Sequence, residues 1–160
     1  MTFSSPAADE WPLVFDSWAR SYRKSPFAGC IPNNLYDEVS RASFNDIIAR
    51  PGARVVVATT ELPEGGRRVM GYAVAEPHRN CLHWVFVKQA YRRLGVGRAL
   101  VNEVTKDFAP GDKFYTHRTP SSSKFLRERD GWTWADAIAR VAPRSDSATR
   151  PSRFIPRAED

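Results

Sequence analysis

Apolar positions change their spacing along the chain. Between residues 9 and 24 they recur at helical intervals: Val14, Trp18 and Tyr22 stand at i, i+4 and i+8. Pro12 falls near the start of this stretch, where a missing N–H is harmless. Pro26, Gly29 and Pro32 turn residues 25–33 into a loop. A second helix is predicted from Asn33 or Asn34, either of which can cap it, to about Ala49. Leu35, Tyr36, Val39, Ala42 and Ile47 then share one side, and Pro51-Gly52 ends the helix. From here the period falls towards two. Residues 53–60, 69–77 and 81–88 read as β-strands, separated by the turns at 61–67 and 78–80. Helical spacing returns from about Gly97 to Phe108, with Leu100, Val101, Val104 and Phe108 on one face. A strand is predicted at 113–119, a short helix at about 121–129, and a last strand from Trp132 to about Ala139. The usual turn residues of Pro110–Asp112 and Gly131 separate them.

That order predicts an α/β (α+β) domain: a mixed, mostly antiparallel central sheet flanked by helices. The strands at 81–88 and 113–119 are joined through a helix, so they are expected to run parallel. His117 is expected on the same face as Tyr115. Residues 1–142 form the expected single domain. Residues 143–160 are rich in Pro, Ser and Arg and read as a flexible tail.

Composition changes this picture little. The 160 residues are 42% hydrophobic and 26% charged, ordinary values for one globular domain. No stretch reaches the roughly 20 apolar residues of a membrane helix, and the N-terminus lacks the basic and apolar regions of a secretory signal. A cytoplasmic protein without membrane contact is expected. Cys30 and Cys81 are too few for a disulfide framework, and no metal site is expected. The net charge of +6, mostly arginine, favours polyanions such as nucleic acid or a phosphate-bearing cofactor.

Chemistry concentrates at residues 85–104, where a strand enters a turn bearing Arg92, Arg93, Gly95 and Gly97 and then an amphipathic helix. The first N–H groups of a helix lack internal acceptors, and the helix dipole adds positive charge there. Glycine allows close backbone approach, and arginine adds bidentate donors. The combination suits a pyrophosphate. It is neither a Walker A loop nor a Rossmann fingerprint.

Residues 87–100, VKQAYRRLGVGRAL, resemble the acyl-CoA-binding motif of the GNAT N-acetyltransferases, V-x-P-x-x-R-x-x-G-x-G-x-x-L. Val87, Arg92, Gly95, Gly97 and Leu100 match, while Gln89 stands where proline is common. The element order also resembles the family from about residue 9 to 139, without an evident strand before the first helix. The resemblance implies a GNAT fold and an acyl-CoA cofactor, usually acetyl-CoA. It implies that Phe86 and Val87 pair with the pantetheine arm. Arg93, Leu94, Gly95, Val96, Gly97 and Arg98, with Arg92, would hold the pyrophosphate. The acyl group would lie where two strands splay apart, and an amine would attack the thioester directly, with no covalent enzyme intermediate.

An ammonium acceptor must first lose a proton. His83 is the first candidate base, the alternative being a histidine hydrogen-bonded in the sheet. Alternation places it on the face of Val85 and Val87, about 13 Å from Val87 at ~3.3 Å per residue. Among relatives, arylalkylamine N-acetyltransferases carry a His-x-His pair in this strand. Its second histidine matches His83, and its first falls on Cys81. Glu76, at the end of the preceding strand, reads as a proton relay, as a residue that holds a cationic acceptor, or as a solvated strand end. The acid that many family members place on the leaving thiolate is a tyrosine, and that position here is Arg127, which leaves Tyr115, Ser121–Ser123 or water as substitutes. His117 reads either as an acceptor-side residue or as surface.

Arg20, Arg23 and Lys24 near the expected acceptor side would repel a polyamine and suit an anionic acceptor. The amine acceptor stays unidentified. A second reading is a nucleic-acid-associated protein on the same scaffold, resembling phage Mom-type enzymes that modify DNA bases. A homodimer, common in the family, is left open.

Overall fold

β-Branched and small residues form the middle of the sheet, and their alternation decides which layer covers each face. The computed structural model describes residues 1–26, 28, 31–127 and 130–136. Six strands lie in sequence order among the described residues: β1 (Thr2–Ser4), β2 (Arg54–Glu61), β3 (Arg67–Glu76), β4 (Cys81–Val87), β5 (Lys113–Tyr115) and β6 (Trp132–Trp134). Neighbours from β1 to β4 are antiparallel, whereas β4–β5 and β5–β6 are parallel, as the intervening helix requires.

Val55 and Val57 of β2 face one core cluster, and Val56 and Ala58 face the other. The first cluster is covered by α1 (Trp11–Arg23) and α2 (Asn33–Ala49), through Val14, Trp18, Tyr36, Phe44 and Ile47. The second is covered by α3 (Val96–Thr105), through Val96, Leu100, Val101 and Val104. Burying four such side chains on α3 is worth several kcal/mol, at about 1.5–3 kcal/mol each.

Several expectations are corrected. A strand, β1, does precede the first helix; three residues are too few to show alternation. The buried side of α2 is Tyr36, Ser40, Phe44 and Ile47, whereas Leu35 and Val39 are exposed. The i, i+4, i+8, i+11 series describes this face, and apolar character alone misplaced it. Neither Asn33 nor Asn34 caps α2. Pro32 holds the cap position, and the Asn33 amide oxygen accepts from Arg23 instead. Arg50, at the C-terminal end of α2, is extended because Pro51 follows. Regular pairing of β5 stops at Tyr115, so the expected strand to residue 119 is shorter. Tyr115 packs in the α3-side cluster, while the His117 ring meets Trp18, Phe44 and Trp84; the two do not share a face. The expected tail at 143–160 and the end of the last strand lie outside the described residues, as do Phe27 and Cys30. No helix among the described residues is long and apolar enough to cross a membrane.

Gly71 of β3 is where the sheet tolerates no side chain. It pairs with Val87, and a Cβ there would overlap the Phe86 carbonyl oxygen and stand 3.1 Å from Val87 Cα. β3 and β4 therefore approach closely just where β4 delivers Phe86 and Val87 to the turn.

Candidate active site

β5 accompanies β4 only at Cys81–Phe114 and Leu82–Tyr115. From His83 to Val87 no described strand pairs with β4 on that side. A cavity of about 540 Å³ opens in the gap. Val85, Phe86 and Val87 form one wall, Gly97 and Val101 of α3 another, and Tyr115 and His117 a third. α4 (Pro120–Phe125) and the end of α1, with Ser21 and Lys24, close the rest. A strand edge that no described strand covers thus runs along the cleft, which suits a ligand that pairs with backbone.

At the end of β4 the chain turns through Arg93 (φ 66°) and Gly95 (φ 81°), both left-handed, and α3 begins at Val96. Such a conformation is cheap for Gly95 and costly for Arg93, so the turn's shape is imposed by its surroundings. The Arg92 Nε donates to the Val87 carbonyl at 3.1 Å, tying the turn to the strand. Arg92, Arg93, Leu94 and Arg98 are exposed. A Cβ at Gly97 would meet only Val87 Cγ2, at 3.5 Å, so this position faces open space. The free amides at the start of α3, the glycine and the three exposed arginines fit a pyrophosphate. Of the sequence-predicted cofactor residues, Phe86, Val87, Arg92 and Gly97 line the cavity. Arg93, Leu94, Gly95 and Arg98 lie in the adjoining turn and first helical turn. The Val96 side chain is buried in the core, which leaves its backbone alone available.

His83 departs from the expected alternation. Val74 pairs with Trp84 and Ala75 with Leu82, so His83 is an extra residue in β4, a bulge. Leu82 and Val85, three apart, consequently share one core face, and Trp84 joins the other. The His83 side chain no longer follows Val85 and Val87. It is fully buried, with Nε2 2.9 Å from Glu76 Oε1 and Nδ1 3.0 Å from Thr116 Oγ1.

Glu76 is likewise fully buried, which corrects the alternative of a solvated strand end. Arg50, itself buried, donates to Glu76 Oε1 at 3.0 Å and to Asp46 at 2.7 Å. Arg79 and His78 stand 3.5 and 3.7 Å from Glu76 Oε2. Burial alone would raise the Glu76 carboxyl, but hydrogen bonds from His83 and Arg50 hold it at about 2. Glu76 is therefore a carboxylate at neutral pH, and His83 Nε2 must carry the proton between them. His83 Nδ1 is then an acceptor, and it takes the Thr116 hydroxyl proton. Thr116 Oγ1 in turn accepts from His117 Nδ1, 2.8 Å away. The ionised glutamate so fixes both histidine tautomers, and His117 Nε2 is left bare. Burial holds the His83 imidazole below its ordinary value, against the pull of Glu76. Burial among Trp18, Tyr22, Phe44 and Trp84 lowers His117 to about 3, the charge of the His83 ring adding to the effect and a hydrogen bond to the His83 backbone opposing it.

Among the three expected catalytic residues, His83 and Tyr115 line the cavity and Glu76 sits behind His83. Arg50 and Thr116 were not anticipated. A histidine on each of two strands expected to be neighbours was the available signal for the Thr116 bridge. Nothing local marked Arg50 as inward-facing. Arg127, at the family's tyrosine position, is exposed and donates to the Lys124 carbonyl. Burial, with Glu76 adding to it, pushes the Cys81 thiol up to about 12, so Cys81 is no nucleophile. No cluster of three or more metal-ligating side chains occurs among the described residues.

Residues 51–129 match the family model of the acetyltransferase (GNAT) domain. No protein of curated function matches the chain in sequence. In structure it is similar to a ribosomal-protein-alanine N-acetyltransferase from Brucella melitensis biovar Abortus 2308, with 13% identity and a TM-score of 0.50. That match covers 96% of this chain and 99% of the other, and it shows the fold. A GCN5-related N-acetyltransferase from Kribbella flavida is 22% identical over 66% of this chain, with a TM-score of 0.46. The matched region spans 63% of that protein's length. The PaiA N-acetyltransferase from Thermoplasma acidophilum, solved in complex with coenzyme A, is 14% identical over 66% of this chain and 69% of its own, with a TM-score of 0.45. The resemblance read from residues 87–100 and from the element order is borne out at the level of family and fold.

Proposed function

We propose that this chain, whose residues 51–129 form a GNAT acetyltransferase domain, transfers an acyl group from an acyl-CoA, acetyl-CoA first among donors, to an amine. The observation that carries the reading is the cavity where β4 parts from β5 and runs into the glycine- and arginine-bearing turn of α3. An acyl thioester supplies an activated acyl carbon when bound. The backbone of Phe86 and Val87 pairs with the pantetheine amides. The amides from Arg93 to Arg98, with the Arg92 side chain, hold the pyrophosphate. Val101, Phe125 and Leu126 keep water from the reacting end. His83, charge-balanced by Glu76, takes up the proton that the acceptor must lose. Tyr115 lies on the cavity wall and is the candidate acid for the sulfur.

The acceptor is an amine without further positive charges. The charged side chains on the described cavity wall are Lys24 and Arg92, with no carboxylate among them. Like charges repel a polycation by up to several kcal/mol when desolvated.

A thiol-release assay with acetyl-CoA and a panel of amines tests the reading. Release is expected with amines that carry a neutral or anionic second group, and little with spermidine or aminoglycosides. A preference for the polycations would overturn the acceptor assignment, and no release with any amine would overturn the transferase reading.

A further inference from the structure

We propose that His117 is the residue that meets the acceptor amine, and that Thr116 passes its proton to His83. The inference rests on the acyltransfer reading, and it assigns the proton a route. His83 is the obvious base in the sequence, yet both of its ring nitrogens are already bonded, to Glu76 at 2.9 Å and Thr116 at 3.0 Å. A group so committed cannot also reach a substrate. His117 lines the same cavity, is half-buried rather than sealed, and sits one hydrogen bond further along. The polarity of this chain is set from its far end: the Glu76 carboxylate requires Nε2–H on His83, which leaves Nε2 of His117 bare.

Two protons leave the acceptor nitrogen, and the relay carries the first of them. The acceptor ammonium gives a proton to His117 Nε2. His117 Nδ1–H passes to Thr116 Oγ1 as the Thr116 hydroxyl proton passes to His83 Nδ1. His117 has changed tautomer and stays neutral, and the positive charge rests on His83 beside Glu76. The freed nitrogen lone pair forms the C–N bond while the C–S pair leaves with sulfur. Tyr115 gives its hydroxyl proton to the sulfur and takes the second nitrogen-borne proton in return, giving amide and thiol. The proton on His83 returns to solvent by the same path. The groups that set its affinity are Glu76 of β3, Arg50 after α2, Arg79 and His78 of the turn after β3, and Thr116 and His117 beyond β5.

Three full-length variants test the proposal: Thr116→Val, Thr116→Ser and His117→Gln. Acetyl-CoA affinity, steady-state kinetics and the pH profile of kcat/KM are measured, with histidine tautomers read by long-range ¹H–¹⁵N NMR. Wild type is expected to show His83 as the Nε2–H form and His117 as the Nδ1–H form. Thr116→Val and His117→Gln are expected to lower kcat by about 10²-fold or more, the usual worth of a general base, with donor affinity unchanged. Thr116→Ser, which keeps the hydroxyl, restores turnover to within about threefold of wild type, inside that margin. The acid limbs of the Thr116→Val and His117→Gln profiles lose the wild-type ionisation. Full turnover by Thr116→Val, or the opposite tautomers in wild type, would overturn the relay while leaving the transferase reading intact. Absence of transfer by wild type overturns both.

Discussion

His117 gives the fold a dependence on acid that can be isolated by one substitution. Its folded value of about 3 lies far below the 6.5 of a free imidazole, so the native state favours the neutral ring. The unfolded chain takes up a proton near pH 6.5 that the folded chain refuses. The stabilisation is full above pH 6.5 and is lost as pH falls from 6.5 towards 3. In that window each group contributes about 1.4 kcal/mol per pH unit. Between pH 6.5 and 4 His117 therefore removes about 3 kcal/mol, a large part of a typical 5–15 kcal/mol. His83 adds to the same slope, its value also being lowered by burial. His117→Gln keeps a donor for Thr116 and removes the titration. Urea unfolding at pH 7, 5.5 and 4, followed by tryptophan fluorescence, reports the difference, since Trp18 and Trp84 are buried. The variant is expected to lose about 3 kcal/mol less than wild type over this range. With m near 2 kcal/mol/M that is a difference of about 1.5 M in midpoint. Parallel pH dependences for the two proteins would refute the reasoning.

Other outcomes follow from the same geometry. Gly97→Glu places a carboxylate in the space beside Val87 and is expected to weaken coenzyme A binding by at least about 10²-fold by calorimetry, through like charge at the pyrophosphate. Gly97→Ala, whose Cβ stands 3.5 Å from Val87 Cγ2, is expected to keep most of the affinity. Gly71→Ala drives a methyl into the Phe86 carbonyl and is expected to cost about 1–3 kcal/mol or more in urea unfolding, because backbone must move. Tyr115→Phe is expected to lower kcat about tenfold or more without raising KM for the donor, read from initial rates with thiol detection.

The motif at residues 87–100 was legible because its glycines and arginines are required by local backbone and charge, which sequence displays directly. Strands β2 to β4 were legible because alternation there coincides with burial on both faces. β1 was not, since three residues carry no period. Leu35 and Val39 misled because an apolar residue on an exposed helix face looks the same in sequence as one in the core. The bulge at His83 is the most consequential miss: it is set by how β3 and β4 pair, and one extra residue redirects the side chain. Glu76 and Arg50 belong to the same class. Their burial depends on meeting each other across the fold, 26 residues apart, and a lone charged residue at the end of a strand or helix gives no sign of it.

The central claim is that the β4–β5 gap is an acyl-CoA site. Titration calorimetry of the full chain with acetyl-CoA, with free coenzyme A as the control, tests it most directly. One site per chain with micromolar affinity for acetyl-CoA is expected, with loss of that binding in Gly97→Glu. No heat from either ligand with a folded sample, or undiminished binding by Gly97→Glu, would contradict it.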